Sequence, residues 1–276
     1  MKTRSRVTEL IFRILGSKRM MKFSNLALQD KRRLEAENIR IQEDRPHFVK
    51  YFHSVSDPYS YLALQKIEEL KKVYNIRLEC FLVGEPPLLT TPEPEIYKTY
   101  SLQDAKRIAS FYNIKPPILE SLPHQEKIRK IERVLAATDQ DKFIKKSLEL
   151  GHELWLDKNN DLEIQAQELS ASEEKTTLVI NKGNSLRSDM KHYLGAVFNY
   201  EGENYWGIDR LKFLENRLTD LGLKRIDGPL VSERNTRKEL LPKNTNTDGL
   251  TIEFYPSLNS PYTYISFSRI KELSKK

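Results

Sequence analysis

The chain has 276 residues, enough for one large domain or two small ones, and its 13 Tyr, 11 Phe and 2 Trp argue against wholesale disorder. No run of residues approaches the roughly 20 consecutive apolar side chains of a spanning helix, which argues against a membrane-embedded protein. The single cysteine, Cys80, cannot form a disulfide, a CxxC pair or a cysteine zinc site within one molecule, and a reducing, cytoplasmic location is expected.

The basic charge is concentrated at the start of the chain. The net charge is +7, but in residues 1–22 seven basic side chains face Glu9 alone, so the remainder is nearly neutral and nucleic-acid binding is not predicted. Apolar positions in residues 7–15 follow helical spacing, which predicts a basic amphipathic helix packed on its own domain. Contact of residues 1–22 with a membrane surface or a partner is the alternative. Residues 1–45 therefore form a basic helical N-terminal extension.

A strand, a helix and a second strand are predicted after the extension. Residues 47–55 alternate as a strand, and residues 76–84 form an apolar second strand with Cys80 buried at its centre. Between them Asp57 suits the N-cap of a helix and Pro58 its first turn. The β-α-β order predicts that the two strands are parallel.

The remaining elements follow from periodicity and turn residues. Residues 86–192 are mostly helical, with residues 176–183 either a helix end or a small strand. A hairpin is predicted over residues 196–207 and a terminal helix over 208–222. Residues 226–249 are rich in polar and turn-forming residues, and they are predicted to be a linker.

The chain contains an internal repeat. Residues 49–72 align without gaps to residues 252–275, and eight of the 24 pairs are identical. This predicts a tandem protein in which residues 250–276 begin a second copy that is truncated after Lys276. The alternatives are that residues 250–276 pack on the first domain or pair with another chain, and the latter would favour a homodimer.

Three segments carry a resemblance to a known family: YFHSVSDPYSYLAL, the strand ending FLVG, and EGENYWGIDRLKFLE. Together and in this order they resemble the DsbA-like thioredoxin-fold group that contains 2-hydroxychromene-2-carboxylate isomerase and kappa-class glutathione transferase. The resemblance covers residues 47–222. It implies an α/β class, with a thioredoxin-like domain over residues 46–225 that carries an inserted helical domain at about 86–192, after the helical N-terminal extension.

The resemblance also implies a small-molecule thiol, glutathione, as the cofactor. The five histidines show no metal-ligand spacing, so no metal is expected. In this family a serine at the start of the first helix donates a hydrogen bond to the glutathione thiolate, and the helix N-terminus adds positive potential. Asp209 matches the acid that meets the amino group of the γ-glutamyl moiety. The positions that the resemblance assigns to glutathione binding are Pro58, Tyr59, Ala196, Val197, Ile208 and Asp209.

The sequence departs from the family pattern at several of these positions. Asp57 occupies the serine position, where an ionised carboxylate has no proton to donate and repels a thiolate; a plain N-cap explains it, with Ser56 a candidate substitute. The second copy keeps the serine, as Ser260. Ala196 occupies a cis-proline position, which predicts a trans bond and an altered loop, and Ile208 stands where a polar residue is usual.

Three hypotheses about function remain open at this point. The first is a glutathione-dependent isomerase or transferase, or an oxidoreductase-like enzyme, with its chemistry at Ser260. The second is a first copy that is catalytically impaired and serves dimerisation or regulation. The third is an adaptor acting through residues 1–22. The sequence favours a family member whose first domain is impaired, with Asp57 and Ser56 as its candidate catalytic positions.

Overall fold

The computed structural model describes residues 25–156, 170–235, 249–256 and 261–274. The predicted helix within residues 1–22 and the candidate Ser260 therefore lie outside the described residues. The chain forms two compact units, Met1–Asn235 and Thr236–Lys276. Within the described ranges, no helix combines the length and the apolarity needed to span a bilayer.

The first unit alternates helices with four short strands. In chain order they are α1 (Leu26–Gln42), β1 (Phe48–His53), α2 (Pro58–Val73), β2 (Arg77–Leu82), α3 (Pro94–Ala109), a 3-10 turn (Ser110–Tyr112), α4 (Gln125–Ala137), α5 (Gln140–Leu156), α6 (Glu173–Asp189), β3 (Val197–Tyr200), β4 (Glu203–Trp206) and α7 (Ile208–Asp220).

The four strands form one sheet in the order β2-β1-β3-β4. β1 is parallel to β2 and antiparallel to β3, and Tyr51 lies between Cys80 and Phe198 in the two neighbouring strands. A β-α-β unit followed, after an insertion, by a β-β-α unit is the connectivity of a thioredoxin-like fold. The predicted α/β fold class and the predicted parallel strand pair are confirmed.

Helices α3 to α6 are inserted between β2 and β3, where a helical segment was predicted. One local prediction is corrected here, because residues 176–183 are neither a helix end nor a strand but lie inside α6. Ser172 caps this helix by accepting a hydrogen bond from the Lys175 N–H, 3.2 Å away. A Cβ at Gly183 would lie 2.1 Å from the Leu82 carbonyl oxygen, so the glycine is what allows α6 to contact β2.

The sheet buries apolar side chains on both faces, as alternation along β1 requires. Val49 and Tyr51 belong to the large core shared with α2, α5 and α7. Phe52 faces the other side, where it clusters with Val83 and Val197. The carboxyl end of β1 and the start of α2 are thereby held between two packed layers, and the candidate site lies there.

Helix α1 is attached to the sheet by a polar cluster around Glu203 in β4. Arg33 donates from Nε and Nη2 to the Glu203 carboxylate at 2.9–3.1 Å, and Gln29 donates to the same group at 2.9 Å. Buried Arg217 donates to Glu203 at 3.1 Å and to the Tyr200 carbonyl at 2.9 Å. The described part of the N-terminal extension therefore docks on its own domain.

The segment after α7 also belongs to the first unit, although residues 226–249 were predicted to be a linker. Glu215, fully buried in α7, accepts hydrogen bonds from the N–H groups of Val231 at 2.7 Å and Ser232 at 2.9 Å, and from the Ser232 hydroxyl. A buried carboxylate needs such donors, and here the chain following the domain supplies them. The unit consequently continues to Asn235.

The second unit is described over residues 249–256 and 261–274. It contains α8 (Pro261–Leu273), whose start corresponds to that of α2 in the repeat alignment. No strand is formed over residues 249–256, contrary to the strand expected there, because a strand requires a hydrogen-bonded neighbour. The Phe254 and Phe267 rings lie 6.3 Å apart, so this segment contacts α8.

Candidate functional site

Asp57 is the N-cap of α2, as the sequence predicted. Its backbone is extended, and its carboxylate accepts hydrogen bonds from the N–H groups of Tyr59 and Ser60, each at 3.1 Å. Pro58 follows in the first helical turn. The N-terminal donors of α2 that face this point are therefore occupied by a side chain of the helix itself.

The Ser60 hydroxyl connects Asp57 to two other segments. It donates to Asp57 Oδ2 at 2.8 Å and accepts from the N–H groups of Ser54 at 3.2 Å and Ala196 at 2.8 Å. Ser60 is fully buried. One hydroxyl thus joins the end of β1, the start of α2 and the loop before β3.

The loop before β3 approaches Asp57 very closely. A Cβ at Gly195 would lie 2.6 Å from both Asp57 Oδ2 and Ser60 Oγ, so only glycine fits. The next residue, Ala196, has a φ of 55°, a left-handed conformation that is strained for a residue with a side chain. All peptide bonds of the described residues are trans, which agrees with the trans bond predicted at Ala196.

Burial raises the pKa of Asp57 to about 6. The hydrogen bonds from Ser60 and from the Tyr59 and Ser60 amides, and the charge of Arg187, oppose this rise in pKa but do not cancel it. The charge of Arg187 in α6 acts on Asp57, and burial together with the charge of Asp57 in turn raises the pKa values of Tyr51 in β1, Tyr59 in α2 and Tyr97 in α3. A carboxyl group of this kind exchanges protons near neutral pH.

Arg187 is a buried cation near Asp57 without forming a direct ion pair with it. Its guanidinium donates to Asn184 Oδ1 at 2.9 Å and to the Gly84 carbonyl at 3.3 Å. Burial lowers the pKa of Arg187 to about 10, and the charge of Asp57 raises it in part. The guanidinium of Arg187 thus binds the carbonyl of Gly84, in the loop after β2. Its positive charge also stabilises the ionised form of Asp57 without a direct contact.

A first cavity of about 230 Å³ opens beside Asp57, between α2, the loop after β2 and α3. Asp57, Ser54 and Ser56 line it at the end of β1 and the start of α2, and the Ser54 and Ser56 hydroxyl oxygens are 3.3 Å apart. Most of the remaining wall is apolar. Its other lining residues include Pro58, Pro86, Leu88, Tyr97, Leu122, Leu194 and Gly195, with Glu85, Glu95 and Lys98 at charged positions.

A second cavity, of about 240 Å³, lies beside Tyr59 and the start of α7. The Tyr59 hydroxyl donates to Asp104 at 2.9 Å, and the Tyr59 and Trp206 rings meet edge to face. The indole N–H of Trp206 is buried and has no hydrogen-bond partner among the described residues. The cavity is lined by Tyr59, Asp104, Ile108, Phe111, Tyr112, Trp206, Gly207, Ile208, Asp209 and Arg234.

The two cavities bring most of the predicted site residues into two groups. Ser56, Asp57 and Pro58 line the first cavity, and Tyr59, Ile208 and Asp209 line the second. Ala196 is buried between the groups, through its hydrogen bond to Ser60. Val197 contributes instead to the apolar cluster on the opposite face of the sheet.

Sequence reasoning missed several residues of this region. Ser60 had a detectable signal, because a hydroxyl three residues after an N-cap is in reach of the capping side chain. Gly195, Tyr97 and Arg187 meet Asp57 only through the tertiary fold, and no local pattern marks them. Arg234, in the predicted linker, reaches the second cavity with its guanidinium 4.4 Å from the Phe111 ring centre.

Two further features of the described residues are the reactivity of Cys80 and the grouping of possible metal-ligand side chains. Cys80 is buried in β2, and burial raises the pKa of its thiol to about 12, so a reactive thiolate is disfavoured. In the part of the chain that the structure describes, no three His, Cys, Asp or Glu side chains are grouped as metal ligands would be.

Comparison with known proteins gives a limited result. No family model matches the sequence, and no curated protein shows significant sequence similarity. The solved structure of selenomethionine 2-hydroxychromene-2-carboxylate isomerase is similar at 16% identity and a TM-score of 0.45, over 63% of this chain and 96% of that one.

Proposed function

We propose that the first unit is a glutathione-related binding domain that has lost the ability to stabilise a thiolate. The observation that carries this proposal is the capping of α2 by Asp57. In a thiolate site of this fold, the start of the helix offers a hydroxyl and N–H donors to the sulfur. Here Asp57 takes up the N–H groups of Tyr59 and Ser60, which supports a carboxylate in place of the thiolate at this helix start.

The electrostatics of the position support the loss of thiolate chemistry. At neutral pH Asp57, with a pKa of about 6, is mostly ionised, and its charge would raise the pKa of an adjacent thiol. Ser56 does not replace the missing serine in our proposal. Its hydroxyl lies 3.3 Å from that of Ser54, and it shares the first cavity with the Asp57 carboxylate.

The second cavity supports retention of ligand binding. Asp209, in the first turn of α7, lines it and supplies a carboxylate for an ammonium group. The unpartnered indole N–H of Trp206 is a donor that a ligand carboxylate would satisfy. We infer that the γ-glutamyl end of glutathione occupies this cavity, with its thiol directed towards Asp57.

The test is calorimetric titration of the full chain with reduced glutathione, beside Asp57→Ser and Asp57→Asn variants. Thiolate formation is followed by ultraviolet absorption near 240 nm. We expect the unchanged chain to bind glutathione as the thiol, without a thiolate signal. Asp57→Ser should produce that signal at neutral pH, because the serine hydroxyl donates to sulfur and the repelling charge is removed.

The asparagine variant is the matched control. Asparagine is in general as good an N-cap as aspartate, and it removes the charge without supplying a hydroxyl. Its NH₂ group replaces the acceptor of either the Tyr59 N–H or the Ser60 N–H and hydroxyl, so the folded stability of this variant is measured beside its binding. It should therefore give less thiolate than serine. A thiolate signal from the unchanged chain would contradict the proposal, and so would the absence of glutathione binding by both the unchanged chain and Asp57→Ser.

A second candidate function places the thiol chemistry at Ser260. The favouring observation is that α8 begins at Pro261, as α2 begins at Pro58 after Asp57. Thiolate formation by the unchanged chain that disappears in Ser260→Ala, and persists in Asp57→Asn, would favour this candidate.

A further inference from the structure

The volume and the lining residues of the first cavity indicate what kind of ligand it would bind. Its volume of about 230 Å³ is below the ~300–1,000 Å³ usual for drug-sized molecules, so a small ligand or one group of a larger ligand fits. Asp57, Ser54 and Ser56 form one polar group of the lining, and Glu85, Glu95, Lys98, Thr91 and Ser101 are further polar residues of the wall. Leu88 lines the wall while 73% exposed, so the apolar surface extends to the mouth. A polar group at Asp57 in a cavity also lined by Pro58, Leu122 and Leu194 suits a ligand with one polar group and an apolar body.

The polar group around Asp57 offers several acceptors, and the hydroxyls of Ser54 and Ser56 also carry donor hydrogens, one of which is used between them. Asp57 Oδ1 accepts one hydrogen bond, from the Tyr59 N–H, so it retains the capacity to accept another. The hydroxyl oxygens of Ser54 and Ser56 add two further acceptors in the same cavity. A protonated primary amine has three N–H donors and no acceptor, which matches this arrangement.

The charge that faces the cavity is negative. Lys98, the one cation among the described residues lining it, lies 3.4 Å from Glu85 and 3.6 Å from Glu95. Arg187 directs its guanidinium to Gly84 and Asn184 and is not part of the lining. A thiolate or carboxylate in this cavity would therefore meet an uncompensated carboxylate, whereas a cation would be stabilised.

An aromatic wall adds to the attraction for a cation. Tyr97 in α3 lines the cavity and is half-buried. Burial and the charge of Asp57 raise the pKa of Tyr97, so its ring stays neutral at physiological pH. The face of a tyrosine ring attracts organic cations, and more strongly where water is excluded.

We propose that the first cavity is a binding site for a small apolar ligand that carries a protonated amine, with the ammonium group on Asp57 and the apolar body against Pro58, Leu122 and Leu194. The aspartate in place of a family serine then reverses the charge preference of the site. The proposal goes beyond the glutathione-related function and concerns a ligand of a different class.

The test uses three probes of similar shape and different charge: benzylamine, benzyl alcohol and benzoate. Their affinities for the full chain are measured by calorimetry and by ligand-observed NMR at pH 7.5. We expect benzylamine to bind about tenfold more tightly than benzyl alcohol, because an ionised hydrogen bond replaces a neutral one, and benzoate to bind most weakly.

Two variants test whether the Asp57 carboxylate causes the preference for benzylamine over benzyl alcohol. Asp57→Asn, which keeps one of the two capping acceptor oxygens, should reduce the affinity for benzylamine to that for benzyl alcohol. Glu93→Gln, which removes an exposed carboxylate just before α3 that does not line the cavity, should keep the preference. If Asp57→Asn does not fold, Tyr97→Leu replaces it and should weaken benzylamine binding severalfold while changing benzyl alcohol binding little.

Equal affinities for benzylamine and benzyl alcohol would overturn the proposal. A preference that survives in Asp57→Asn would do so as well, as would a lack of binding by all three probes. The glutathione titration is scored separately. A chain that binds benzylamine at Asp57 but not glutathione would refute the glutathione-related function and support the amine site.

Discussion

Gly195 lies against the carboxylate of Asp57 so closely that a methyl group at Gly195 would stand 2.6 Å from Oδ2. The two residues are far apart in the sequence, and they meet where the loop before β3 crosses the start of α2. Because Ser60 Oγ is equally close to that methyl position, neither neighbour can move without breaking the hydrogen bonds around it. The position of the Asp57 carboxylate is therefore fixed from two sides.

A substitution at Gly195 should be costly for this reason. We expect Gly195→Ala to lower the free energy of unfolding by about 1–3 kcal/mol, the usual cost of overpacking. The measurement is urea unfolding followed by circular dichroism. Gly84→Ala is the matched control, because its Cβ would be 3.3 Å from a movable side-chain atom, Cγ2 of Ile180, and a smaller loss is expected. Equal losses in the two variants would contradict the close contact at Asp57.

Asp57 should also make stability depend on pH. Its folded-state pKa of about 6 is above the ordinary value of 3.8, so its contribution to stability is full below pH 3.8 and is lost as the pH rises through 6. Asp57→Asn has no such group to ionise. The difference in unfolding free energy, unchanged chain minus Asp57→Asn, should increase by on the order of 2 kcal/mol from pH 7 to pH 4. A difference that stays constant over this range would show that the carboxyl group titrates normally.

His53 should make the stability of the fold depend on pH in the opposite direction to Asp57. It is buried at the end of β1, and burial lowers the pKa of its imidazole to about 3 from the ordinary 6.5. The unfolded chain therefore binds a proton below pH 6.5 that the folded chain does not, and stability falls as the pH falls towards 3. Between pH 7 and pH 4, His53→Gln should lose less stability than the unchanged chain, by on the order of 3 kcal/mol. Parallel stability curves for the two proteins would contradict this, with exposed His124 as the control position for the same substitution.

The attachment of residues 226–235 should depend on Glu215. Glu215→Gln keeps the shape of the side chain, but its NH₂ group would face an N–H donor of Val231 or Ser232. We expect the amide hydrogens of Val231 and Ser232 to exchange at least about tenfold faster, measured by mass spectrometry or NMR, because their hydrogen bonds are weakened. Glu233→Gln alters an exposed side chain of the same segment and should leave this exchange unchanged. Unaltered exchange in Glu215→Gln would mean that other contacts hold the segment.

Local patterns in the sequence were sufficient to predict the start of α2 and the parallel pairing of β1 and β2. Asp57 and Pro58 are a cap and a first-turn residue whose geometry is determined within a few residues. The apolar, β-prone segment 176–183 was ambiguous because its helical state depends on contact with β2 through Gly183. The closure of the site by Gly195 had no local signal at all.

The repeat shows the same distinction between local and tertiary information. The helix corresponding to α2 forms in the second unit, because its first-turn proline and its periodicity are repeated in the sequence. The strand corresponding to β1 does not form over residues 251–256, because β1 depends on β2 and β3 as neighbours. A sequence repeat reproduces a helix more readily than a strand.

The polar attachment of α1 has a consequence for the solubility of the domain. β4 is an edge strand of the sheet, and an uncovered edge can pair with a strand of another molecule. Gln29 and Arg33 bind Glu203 at the start of β4, and Arg45 binds Glu201 in the hairpin turn at 3.0 Å. The helix before the thioredoxin-like domain thereby places charged side chains along this edge, where they oppose intermolecular β-pairing and aggregation.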